Sequence, residues 1–72
     1  MKNVILYSSN CPKCKVLETK LNQKNIVFEV KNSEEDFQKL FNEGFREMPV
    51  LEVDGKKYPF MDAIKVVNEY TE

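Results

Sequence analysis

Only two cysteines occur in this sequence, Cys11 and Cys14, separated by Pro12 and Lys13. Two sulfurs at that spacing can share a disulfide if Cys11 caps a helix whose first turn is Pro12-Lys13-Cys14. The Cα atoms of such a turn sit roughly 5 to 6 Å apart, within the range that disulfide geometry accepts. The bond can then open and close without moving the fold. Proline at the first helical position costs nothing, because its missing N–H would have no intrahelical partner and its fixed φ suits the turn. A sulfur at the N-cap faces unpaired backbone N–H groups and the positive end of the helix, and Lys13 and Lys15 add positive charge. All three effects favour thiolate, the nucleophilic form of cysteine.

The elements that must position this pair follow from the flanking pattern. Val4 to Tyr7 is a continuous apolar run ending in Ser8-Ser9-Asn10, which predicts a central strand buried on both faces and then a loop. From Cys11 to about Lys24, Cys14, Leu17 and Leu21 recur at helical spacing, so Cys14 lies on the apolar stripe. Cys11 is expected at the exposed tip with Cys14 beneath it. That asymmetry assigns attack to Cys11 and resolution to Cys14.

Ile26 to Val30 reads as a second strand, joined to the first by a right-handed crossover and parallel to it. Ser33 and Asp36 resemble a capping box, Glu34-Glu35-Asp36 suits a first helical turn, and Phe37, Leu40 and Phe41 continue the helix to Asn42. Gly44 is placed to end it. Phe37, Phe41 and Phe45 are expected in the core, which a chain this small needs to fill with aromatics. Val50, Leu51 and Val53 form a third strand, Asp54-Gly55 a hairpin turn, and Lys56 to Tyr58 a fourth strand that Pro59 stops or marks as an edge. Ala63, Val66, Val67 and Tyr70 define a last helix, capped near Phe60 to Asp62.

Seventy-two residues are expected to form one domain over 1–72, since a chain of this size buries only about 60% of its unfolded surface. Its 11 basic and 12 acidic residues are mixed along the chain and leave a net charge of −1. Without a basic stripe, nucleic acid is not an expected partner. The apolar run after Met1-Lys2-Asn3 is too short for a secretory leader or a membrane span, so a cytoplasmic protein away from membranes is expected. In a reducing compartment a lone cysteine pair points to redox chemistry or metal binding more than to a structural staple. A zinc site normally takes four protein ligands, and two cysteines without histidine would supply them only in a dimer.

The order strand, helix, strand, helix, hairpin, helix, with the cysteine pair at the first strand-to-helix turn, resembles the glutaredoxins. Tyr7-Ser8-Ser9-Asn10-Cys11-Pro12-Lys13-Cys14 is similar to the active-site turn of that family, and Met48-Pro49-Val50 followed by Asp54-Gly55 to its cis-proline segment and hairpin. The resemblance implies an α/β thioredoxin fold (βαβαββα), with a four-stranded mixed sheet of order 2-1-3-4 flanked by three helices. It also implies a monomeric thiol-disulfide oxidoreductase, with Cys11 and Cys14 catalytic and disulfide-containing proteins as substrates. Met48-Pro49 would be cis, packed against the sulfurs, with the backbone of Met48 pairing to a bound peptide. Met48 stands where the family usually has the smaller Val. Lys13 would stabilise the thiolate, bind a substrate carboxylate, or stand merely solvated.

For the reductant the resemblance leaves two readings. In glutaredoxins, glutathione is the reductant rather than a tightly bound cofactor, and it would touch Pro12, Lys13, Met48, Pro49, Met61 and Asp62. Yet Tyr58-Pro59-Phe60-Met61-Asp62 keeps only Phe60 and Asp62 of a family segment that usually opens with a glycine pair. Gly44 to Val50 also resembles the redoxins that donate electrons to ribonucleotide reductase and are recharged by thioredoxin reductase. A third reading, of another class, is a glutathione-dependent iron–sulfur cluster carrier.

Overall fold

A computed structural model of the chain describes residues 3 to 9 and 11 to 70. Asn10, which the sequence puts in the loop before Cys11, lies outside the described residues, as do the first two and last two positions. Strand β1 (Val4–Tyr7) leads to helix α1 (Pro12–Gln23), strand β2 (Glu29–Lys31) and helix α2 (Glu34–Asn42). Strands β3 (Val50–Val53) and β4 (Lys56–Pro59) follow, and helix α3 (Phe60–Glu69) closes the described chain.

The four strands form one sheet in the order β2-β1-β3-β4, with β1 inside as its apolar run predicts. β1 runs parallel to β2, with Leu6 opposite Val30, and antiparallel to β3, with Leu6 opposite Leu51. The β3–β4 hairpin turns at Asp54 and Gly55, whose φ angles of 51° and 88° are the two left-handed residues that a type I′ turn requires. Successive β1 side chains face opposite sides of the sheet. Val4 and Leu6 join Leu17, Leu21, Ile26, Leu51, Ala63 and Val67 beneath α1 and α3, whereas Tyr7 packs with Leu40 and Val50 beneath α2.

Several details depart from the expected pattern. β2 takes only Glu29–Lys31, because Ile26 is spent on closing α1. Asn25 adopts a left-handed φ of 57°, its N–H reaches the Asn22 carbonyl, and the Ile26 N–H reaches the Leu21 carbonyl at 3.0 Å. These are the two bonds of a Schellman motif, which consumes Ile26 as a helix terminator. Phe41 is 49% exposed, not core, because Phe37 and Leu40 already define the one stripe that α2 turns inward. Phe37 and Phe45 do pack against the second cluster as expected. The Ser33 hydroxyl accepts the Asp36 N–H at 3.2 Å and donates to the Asp36 carboxylate at 2.7 Å, so the two side chains bond each other.

Helix α2 ends with Gly44 at φ 104°, and its Schellman bonds run from the Gly44 N–H to the Phe41 carbonyl and from the Phe45 N–H to the Leu40 carbonyl. β4 extends one residue past its expected end to Pro59, and as an edge strand it tolerates the missing N–H. α3 starts directly after Pro59 and has no side-chain cap. Among the described residues no helix is long and apolar enough to cross a membrane.

Candidate functional site

Cys11 occupies the N-cap of α1, with extended backbone at φ −82° and ψ 164° and Pro12 opening the helix. From there its sulfur accepts the Cys14 N–H at 3.3 Å. This is the bond that an N-cap side chain makes to one of the orphan donors of a helix start. Both cysteines are free thiols, and their sulfurs lie 2.7 Å apart. Cys14 is fully buried, and Cys11 is partly exposed above it. The strand-to-helix turn therefore produces the unequal pair expected from the apolar stripe.

The segment between α2 and β3 supplies the opposite wall. Met48-Pro49 is cis, Pro49 is fully buried, and the Cys11 thiol donates to the Met48 carbonyl at 3.6 Å. Beside the sulfur a groove of about 420 Å³ is lined by Ser9, Cys11, Pro12, Lys13, Glu47 and Met48. A larger groove of about 610 Å³ continues from it past Lys13 and Glu47, walled by Gly44, Phe45 and Arg46 on one side and by Pro59, Phe60 and Met61 on the other.

Donors also converge on the buried sulfur. Burial pushes the Cys14 thiol up, but hydrogen bonds from Cys11, the Ser9 backbone and the Ser8 side chain outweigh it, and its pKa is lowered overall. The Ser9 hydroxyl also stands 3.9 Å from the Cys14 sulfur. One negative charge can thus be held between two sulfurs by donors on both sides, a state that thiol-disulfide exchange uses.

Of the residues singled out from sequence, Cys11, Cys14, Pro12, Lys13 and Met48 come together around the sulfurs, and Pro49 is buried directly behind Met48 in the chain. Lys13 places its ammonium 5.7 Å from the centre of the Phe60 ring, within cation–π range, and so sits at the junction of the two grooves. Met61, 71% exposed, lines only the larger groove. Asp62 lies in the first turn of α3 and lines neither. The sequence resemblance included Ser8, Ser9, Arg46 and Glu47 in its segments but gave their individual side chains no role. The signals available were two hydroxyl residues ending an apolar strand and a charged pair directly before Met48-Pro49.

No protein-family model matches the sequence, and a search of curated proteins found no match. Solved structures do match. NrdH-redoxin from Escherichia coli, described as a glutaredoxin-like protein with a thioredoxin-like activity profile, superposes with a TM-score of 0.82 at 18% identity, covering 97% of both chains. A thioredoxin-like protein solved as a point mutant gives 0.72 at 19% identity over 94% of this chain and 96% of its own. A glutathione S-transferase from Ascaris lumbricoides gives 0.70 at 20% identity over 90% of this chain, which spans only 34% of the transferase. Together with the sheet order and the three helices, these likenesses define a thioredoxin fold.

Proposed function

We propose that this protein is a dithiol oxidoreductase that reduces protein disulfides or glutathione mixed disulfides through Cys11 and Cys14. The observation that carries the reading is the unequal sulfur pair, 2.7 Å apart, with one member at a helix N-cap in a groove and the other buried beneath it. The Cys11 thiolate attacks one sulfur of a substrate disulfide, whose S–S bond breaks, and the departing thiolate takes up a proton. The Cys14 thiolate then attacks the Cys11 sulfur and releases the second substrate thiol. Two electrons pass to the substrate, and a Cys11–Cys14 disulfide remains.

The Met48 backbone beside Cys11 supports docking of an extended substrate segment by main-chain pairing. For recharging, a reductase acting directly on the Cys11–Cys14 disulfide is the reading that Tyr58 and Pro59 favour, because side chains occupy the place of the glycine pair. The redoxin neighbour, which superposes over 97% of both chains and is described as having a thioredoxin-like activity profile, supports the same choice.

The test is turnover of a protein disulfide with electrons from NADPH, supplied either by thioredoxin reductase alone or by glutathione with its reductase. Turnover with thioredoxin reductase is expected. Turnover only with glutathione would replace the redoxin reading with the glutaredoxin one. Absence of turnover with both, and of stoichiometric reduction by the prereduced protein, would overturn the function.

A further inference from the structure

One wall of the larger groove, Gly44-Phe45-Arg46-Glu47, is a direct extension of α2. The Schellman bonds bind Gly44 and Phe45 to the last turn of that helix, so the start of the wall is anchored to the helix end. α2 is the most lightly packed helix among those described. It fully buries only Leu40, whereas α1 buries Cys14, Leu17 and Leu21, and α3 buries Ala63 and Val67. A helix with so little buried apolar surface belongs to the low-stability end of a fold.

A polar tether reaches this helix at the residue before the wall begins. Lys57 on β4 bonds both carboxylate oxygens of Glu43, the C-cap of α2, at 2.8 and 2.9 Å. The same ammonium lies 4.0 Å from Glu52 on β3, which accepts the Tyr7 hydroxyl at 3.2 Å. Lys57 therefore stands between the α2 side of the groove and the two central strands, with its side chain only 24% exposed.

We propose that Lys57 is a positioning residue, which sets the width of the substrate groove by holding Glu43 and with it the Gly44–Glu47 wall. The proposal rests on the oxidoreductase reading above. Lys57 lines neither groove and touches neither sulfur, so its removal should alter docking of a large substrate without altering the chemistry of the pair.

Single-turnover kinetics separate these effects. Prereduced protein is mixed with excess insulin as a protein disulfide, and separately with hydroxyethyl disulfide as a small one. Lys57→Met should raise the half-saturating insulin concentration by about threefold to fivefold, the ceiling for an exposed ion pair. The limiting rate and the rate with the small disulfide should not change. Glu43→Gln should weaken insulin binding in the same direction although it alters charge in the opposite sense, and Lys57→Arg should restore it. Hydrogen exchange of the α2 amides should rise in the first two variants. Opposite effects of Lys57→Met and Glu43→Gln would show that charge acts directly on substrate and would overturn the proposal. So would unchanged half-saturation, or an equal loss of rate with the small disulfide. Failure of the wild-type protein on both disulfides would instead overturn the functional reading itself.

Discussion

Cys14 is the sulfur that solvent does not reach, yet donors from Cys11, Ser9 and Ser8 converge on it. Burial alone raises a thiol pKa, so the net lowering at Cys14 means that the donors from Cys11, Ser9 and Ser8 prevail. An acid whose folded pKa is depressed contributes stability that is present above its unfolded value and lost as pH falls through the folded one. The stability advantage of the reduced wild type over Cys14→Ser should therefore grow as pH rises toward the ordinary thiol value of 9.0. Urea midpoints of the two proteins across that range measure it, and a pH-independent difference would contradict the donor network.

Tyr7 behaves in the opposite sense. Burial, then the charge of Glu52 and the hydrogen bond to it, with smaller contributions from Asp36 and Glu43, raise its phenol to about 12. A raised folded pKa gives stability that is complete below the unfolded value near 10 and is lost as pH rises through the folded one. Wild-type protein should therefore lose stability between about pH 10 and about 12, whereas Tyr7→Phe should lose less over that interval. Thermal melts at a series of alkaline pH values decide it, and parallel losses in both proteins would contradict the assignment.

At the scale of elements, local chemistry and packing contribute in different proportions. The Ser33 hydroxyl caps α2, and its replacement by alanine should cost about 1 kcal/mol, seen as a lowered urea midpoint. Leu40→Ala removes the one fully buried side chain of α2 and should cost about 2 to 5 kcal/mol. A loss below that of Ser33→Ala would mean that α2 is not held by the second cluster. Much of this was legible in the sequence, including the central strand, both helix starts at Cys11 and Ser33, the Asp54-Gly55 turn and the stripe that buries Cys14. The length of β2 was not, because only the Schellman closure of α1 shows that Ile26 terminates a helix instead of opening a strand. Phe41 misled because it shares helical spacing with Phe37, and one rotated position on a short helix separates core from surface. Around the sulfurs, Ser8, Ser9 and Glu47 were not legible, since small hydroxyls and a surface carboxylate acquire meaning only when the turn brings them to the pair.

For the whole molecule, the sheet order places β1 and β3 side by side, and this adjacency joins the α1 N-terminus to the Met48-Pro49 segment. The cysteines come from one side of that junction and the Met48 carbonyl from the other. The grooves open where α1, the end of α2 and the start of α3 meet. Net charge close to zero suits recognition by shape and main-chain pairing more than long-range electrostatic steering. The central claim is that Cys11 attacks and Cys14 resolves. Mixing reduced Cys14→Ser with a protein disulfide and reading the product by mass spectrometry tests it most directly. A stable one-to-one mixed disulfide through Cys11 is expected, with no adduct from Cys11→Ser under the same conditions. Equal adducts from both variants, or a faster one through Cys14, would contradict the account.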